Sequence, residues 1–265
     1  MYNLIKADLF KLRKSKAIKI LFSITTISAI TMVVMAYMIQ KGKLNTGSTG
    51  IGFLLADVSM IGILGAAIAG IFICGDFDNR TIHEAIVNGN SRCKVVISKA
   101  IILYIGTFII LIPYIVVTII AISTGYKFNM GSVSLGFLNL IVTEGGKTIS
   151  SLQVFKLLAI MFTLAVIYIA QLSICVPLAI SSKKPVIVIA VYYGIAILSG
   201  QLGKLESNYR TFKKICECTP YSGNYSLMTL NTGADDILKA LIVSLIFIIV
   251  MIAITCFAFR KSEIK

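Results

Sequence analysis

The side chains that could do chemistry in this 265-residue chain are few. There is one histidine, His83, which excludes a two-histidine metal site within the chain. The apolar segments also lack the Glu-rich and His-bearing helix motifs by which intramembrane metalloproteases hold zinc and activate water. Of the six cysteines, Cys216 and Cys218 would close only a strained small ring, so they read as free thiols or as partners of groups elsewhere. The other four give no disulfide framework. The stretch TEGGKT offers Gly146, Lys147 and Thr148 as the end of a phosphate loop, but its first glycine would have to stand where Ile141 is. Asp57 is the sole candidate for an ionisable group within an apolar segment, about one turn from its outer end, where an interfacial role is expected. No catalytic residue, metal ligand or cofactor site emerges, and the expectation is a non-enzymatic chain.

Composition says where these residues must sit. Hydrophobic residues make up 57% of the chain and charged residues 14%, against about 45–50% apolar in soluble domains. A helix needs about 20 apolar residues to cross the hydrocarbon core. Six segments meet that need: about 18–39, 53–74, 100–124, 155–180, 186–202 and 237–259. They lack the ten-residue alternation of barrel strands. The expected fold class is therefore all-α integral membrane, with six transmembrane helices in one domain over residues 18–265. The net charge of +14 is gathered between apolar runs rather than on a solvated face, which excludes nucleic acid as a partner.

Of the 25 Lys and Arg residues, fifteen fall in the N-terminal arm, residues 75–99, Lys183–Lys184 and the C-terminal tail; ten are spread over the longer opposite connections. The positive-inside rule places both termini and residues 75–99 in the cytoplasm of a multi-pass cell-membrane protein, and Lys147 outside, away from ATP. The first apolar run is too long for a signal peptide and lacks a cleavage site, so it is expected to remain as the first span.

Residues 1–17 form an amphipathic segment. At helical spacing Met1, Tyr2, Ile5, Leu9 and Leu12 share one stripe while Lys6, Lys11, Arg13 and Lys14 flank or oppose it, as in a helix lying in the headgroup plane. It serves either as a basic anchor or as a contact for a cytoplasmic partner. Gly62, Ala66 and Gly70 recur every four residues on the second span, a stripe for close approach by a helix of this chain or of a second copy. Pro113 and Pro177 are expected to kink the third and fourth spans. Of the two long external loops, 125–153 contains VSLGFLNLIV, too short to span and too apolar for a free loop, and 203–236 contains CECTPYSGNY.

Residues 75–99 are too long and too structured for a simple turn between spans. Thr81 to Glu84 match a capping box, Asn88-Gly89 a helix stop, and Ser91 the start of a helix running into the third span. A helix, a tight turn and a helix make a handle for something in the cytoplasm.

The pattern NRTI…NGNSRCKVVISK, carried by Asn79, Arg80, Thr81, Ile82, Gly89, Ser91, Arg92, Ser98 and Lys99, follows an amphipathic N-terminal helix and precedes a basic tail, FAFRKSEIK. In this the chain resembles the permease subunits of ABC-2-type exporters, especially those of bacterial antimicrobial-peptide (lantibiotic or bacteriocin) immunity and bacitracin-like resistance. The resemblance implies that residues 1–17 are an elbow helix, with Ile5, Leu9 and Leu12 as its apolar face. It implies a coupling helix that contacts a separate ABC ATPase through Asn79, Arg80, Thr81, Ile82, His83, Glu84, Asn88 and Arg92. ATP and Mg would then be bound by that ATPase, two permeases would pair as a homodimer or heterodimer, and short re-entrant helices would precede the last span. The second cytoplasmic contact would be the loop Ser181 to Pro185, here very short. The cargo class would be peptide antibiotics or lipid-like amphiphiles. The other reading is a membrane-embedded interaction or regulatory protein that docks a cytoplasmic partner and moves nothing.

Overall fold

The computed structural model describes residues 2–44, 54–131, 134–147, 150–206 and 214–261. Met1, Phe53, Val133, Thr148, Arg210, Lys213 and the tail from Ser262 to Lys265 lie outside the described residues. Every regular element among the described residues is helical: α1 (Tyr2–Lys14), α2 (Lys16–Gln40), α3 (Asp57–Ala69), α4 (Thr81–Val87), α5 (Arg92–Ser123), α6 (Gly136–Glu144), α7 (Ser151–Leu172), α8 (Cys175–Ser182), α9 (Pro185–Glu206), α10 (Gly223–Ser226) and α11 (Ala234–Lys261). A π-helical turn, Gly70–Cys74, and a last turn, Gly75–Asp78, prolong α3.

Five of these helical stretches are long and apolar enough to cross a membrane: Lys16–Gln40, Asp57–Asp78, Arg92–Ser123, Gln153–Ser182 and Ala234–Lys261. The remaining expected span, 186–202, corresponds to α9, whose apolar part, Pro185–Gly200, is shorter. α3, α5 and α7–α8 form the centre, since half or more of each is buried, whereas α2 and α11 lie at the periphery. Peripheral α2 turns Ala29, Met32 and Ala36 inward and leaves Ile20, Ile24, Ile27 and Val34 exposed. That three-to-four-residue spacing gives an apolar face on both sides, as hydrocarbon requires.

The small-residue stripe of α3 is used within the chain. A methyl group added at Gly62 would meet Tyr192 at 3.3 Å, and one at Gly70 would meet Pro185 at 2.9 Å, both in α9. Ala66 is fully buried between them, and Gly65 leaves room for Leu172 of α7. α9 therefore runs antiparallel to α3 at close approach. The fourth expected span is interrupted rather than bent: α7 ends at Leu172 and α8 begins at Cys175. Pro177 has no N–H to reach the Ser173 carbonyl, which takes the Val176 N–H at 3.1 Å instead.

The local signals that start and stop helices are partly where the sequence puts them. Ser91 caps α5 through the Lys94 N–H at 3.4 Å. Asn88 and Gly89 close α4 in a Schellman turn: Gly89, at φ +84°, donates to the Ile86 carbonyl at 3.0 Å, and Asn90 to that of Ala85 at 3.2 Å. The expected box at Thr81–Glu84 does not form. α3 continues to Asp78, so only Asn79 and Arg80 remain to turn the chain, and Thr81 falls inside α4 with its hydroxyl on the Asp76 carbonyl at 3.2 Å. Arg80 takes the preceding position in the left-handed region, at φ +57°. The capping box that does form joins Ser150 and Gln153 at the head of α7.

Candidate functional site

One end of the bundle gathers α1, the α3–α4–α5 hairpin, the loop after α8 and the last turn of α11. Two interaction networks tie them together. The first is ionic and buried. Lys99 of α5 donates to Asp8 of α1 at 2.7 Å and lies 2.5 Å from Asp76 at the end of α3. Ser98 donates to the other Asp8 oxygen at 2.7 Å, and Lys11 of α1 pairs with Asp76. Two carboxylates thus face two ammonium groups, so the burial of charge is compensated pair by pair.

The inner face of α1 is accordingly mixed. Leu12 is buried and Leu9 and Ile5 are partly buried, but Asp8 sits among them, while Tyr2 and Phe10 are exposed. A cavity of about 220 Å³ lies between α1 and the hairpin, lined by Leu4, Ala7, Ile82, Ala85 and the charged cluster. Ile82 is the buried anchor of α4, at 2% exposure.

The second network alternates cations and rings. Lys183, at φ +54° where α8 ends, lies over the Phe77 ring at 5.4 Å. Phe77 meets Phe259 edge to face at 6.2 Å, and Arg92 lies over Phe259 at 5.8 Å. Arg92 also donates to the carbonyls of Phe259, at 2.9 Å, and Arg260, at 3.1 Å. These are among the last carbonyls of a helix, where a guanidinium satisfies orphan acceptors and opposes the dipole. Arg92, expected at a partner contact, is thus engaged by α11. Alongside it Cys93 and Cys256 are disulfide-bonded, with Cα atoms 5.0 Å apart, which corrects the expectation that neither was paired. Among the described residues Cys216 and Cys218 are not disulfide-bonded, in keeping with the strained small ring that a bond between them would close.

The outer edge of α4 is left open. Arg80, Thr81, Glu84, Val87 and Asn88 are exposed, Asn79 before them is too, and His83 is half-buried. Val87, an apolar residue at the tip, is 85% exposed. Of the residues expected at a coupling contact, the structure therefore presents Asn79, Arg80, Thr81, Glu84 and Asn88 on the surface, with Ile82 and Arg92 turned to the bundle.

At the opposite end a second polar node closes the bundle. Asp57 is fully buried, which corrects the expectation that water or headgroups reach it: its Oδ2 accepts the Phe137 N–H at 2.9 Å, at the start of α6, and the Tyr168 hydroxyl of α7. Gly136, at φ +58°, leaves open the space in which a methyl group would collide with the Tyr168 hydroxyl and the Asp57 carboxylate. α6 is the apolar stretch of the long loop and packs on the bundle, with Gly136 to Ile141 buried. The described part of the apparent phosphate loop, up to Lys147, follows the end of α6, where Lys147 pairs with Glu144 at 3.1 Å and the other Glu144 oxygen accepts the Leu230 N–H at 3.2 Å.

Among the described residues no group of three or more His, Cys, Asp or Glu side chains could hold a metal ion. Sequence reasoning missed Asp8 and Asp76; for Asp8 the available signal was a lone acid between Lys6 and Lys11, and Asp76 had no comparable local signal. Comparison with protein-family models and with curated protein sequences gives no match.

Proposed function

We propose that this chain is the membrane-embedded, non-catalytic permease subunit of an ATP-binding-cassette exporter, powered by a separate cytoplasmic ATPase. What supports the reading is the combination of an exposed, rigidly terminated α4 with a wired inner side. Motion imposed on Arg80, Glu84 and Val87 would pass through Ile82 and the Asp76–Lys99–Asp8 cluster to α1, α3 and α5 together. A handle meant only to anchor the chain would not need buried ion pairs to three helices, because such pairs cost desolvation that apolar packing avoids. In this reading six helices span the membrane, α1 is the elbow and α4 the coupling helix. The cargo is a peptide antibiotic or lipid-like amphiphile, and a second permease completes the pathway.

The test is purification of the full chain from its native membrane and assay for a co-purifying ATP-hydrolysing subunit. Arg80→Glu with Val87→Asp should abolish that association while leaving membrane yield unchanged. If no ATPase subunit accompanies the wild-type chain, or if the double variant retains it, the reading fails.

A further inference from the structure

An apolar groove of about 500 Å³ runs between α2 and α5 at the end away from α4. Val33, Val34 and Ala121 line its wall, and Tyr37, Tyr126 and Phe128 form its mouth. The rings form one aromatic patch, with Tyr37 5.4 Å from Tyr126 and 6.4 Å from Phe128. The Asn129 N–H donates to the Ala36 carbonyl at 3.2 Å and so holds the loop after α5 against the end of α2. The ammonium of Lys41 stands 5.7 Å from the Tyr37 ring centroid, and Lys43 is exposed two residues on. No Asp or Glu occurs between residues 9 and 56 or between residues 85 and 143. The walls and rim of the groove therefore supply positive charge without an acidic residue of their own to answer it. A second groove of about 520 Å³, on the other side of α5, differs in this respect, because its lysine, Lys147, is paired with Glu144.

An apolar slot about two helical turns long, an amphipathic aromatic mouth and, at headgroup height, a cation, Lys41, with no ion pair among the described residues match one kind of occupant in both chemistry and order. We propose that this groove is a binding site for an anionic phospholipid, with its acyl chain along Val34 and its phosphate on Lys41. The site stands whether or not the chain is a transport subunit.

The chain contains no tryptophan, so Val34→Trp places a single indole in the groove. Its fluorescence in vesicles containing brominated phosphatidylglycerol or brominated phosphatidylcholine reads which lipid lies there. Half-maximal quenching should need about fivefold less phosphatidylglycerol than phosphatidylcholine, and Lys41→Gln should bring that ratio near one. Ile242→Trp, on the exposed face of α11, should give a ratio near one with either residue at position 41. Ile30→Trp, on the groove wall, supplies the same readout if the first variant fails to fold. A ratio near one in the groove, a ratio indifferent to Lys41, or weak quenching by both lipids, as when a second copy of the chain fills the groove, would overturn the proposal.

Discussion

Asp8 and Lys99, ninety-one positions apart, meet at 2.7 Å with both side chains largely withdrawn from solvent. The contact makes α1 part of the bundle rather than a helix lying loosely beside it. Lys99 also serves Asp76, so its loss would leave two buried carboxylates with only Lys11 between them. Lys99→Met should destabilise the protein by about 3–5 kcal/mol, as expected when one member of a buried ionic cluster is removed. Asp8→Asn should cost less, because its amide oxygen still accepts from Ser98 or Lys99. Thermal unfolding in detergent gives the order, and protease cleavage within α1 should rise in the Lys99 variant first.

The Asp57 node predicts a different separation. Asp57→Asn keeps an oxygen that can accept the Phe137 N–H and the Tyr168 hydroxyl, whereas Asp57→Ala leaves both without a partner. The alanine variant should therefore lose about 1–3 kcal/mol more than the asparagine one. Gly136→Ala should match or exceed the alanine effect, since the added methyl group is both strained at φ +58° and blocked. Hydrogen exchange over residues 136–144 locates the damage, and equal protection in all three variants would remove Asp57 as the hold on α6.

Much of this architecture is legible because membrane insertion depends on hydropathy averaged over some twenty residues, which tolerates local error. The small-residue stripe of α3 and the stop at Asn88-Gly89 were legible for the same kind of reason, as each depends on near neighbours. What stayed hidden depends on distant partners or on the end of a neighbouring element. Asp8 was lost inside an otherwise apolar stripe, because only Lys99 and Ser98 explain a carboxylate there. Cys93 and Cys256 are separated by 163 positions, and no spacing rule announces them. Thr81 and Glu84 carried the residues of a capping box without its geometry, because α3 runs on to Asp78 and leaves no room for a separate cap. Asp57 was misjudged since its distance from the end of its own helix says nothing of α6 folding over it.

Arg92 offers a test of local against remote effects. Its guanidinium meets two carbonyls and one ring of the last turn of α11, a geometry that an ammonium reproduces only in part. Arg92→Lys should retain partial protection of residues 255–261 against hydrogen exchange, while Arg92→Ala should fray that turn. Both variants should leave α4 protected as in the wild type. Fraying of α4 with α11 unchanged would place the role of Arg92 at the hairpin surface instead.

Sidedness decides whether the open edge of α4 can reach an ATPase at all. The loop after α5 is tied to the end of α2 through Asn129 and Ala36, whereas Val87 projects from the hairpin at the other end of the bundle. The two positions must therefore face opposite sides of any membrane the chain spans. The positive-inside rule predicts that the hairpin end, with its excess of Lys and Arg, faces the cytoplasm, and labelling tests it. In a cysteine-free background, Lys127→Cys should react with a membrane-impermeant maleimide on intact cells, and Val87→Cys only after permeabilisation. Replacing all the cysteines also removes the Cys93–Cys256 link, so the background must first match the wild-type unfolding temperature within a few degrees, about 2–4 °C per kcal/mol lost for a chain of this size. Labelling of Val87→Cys from outside would put the handle beyond reach of ATP and end the exporter reading, while leaving the described helix packing untouched.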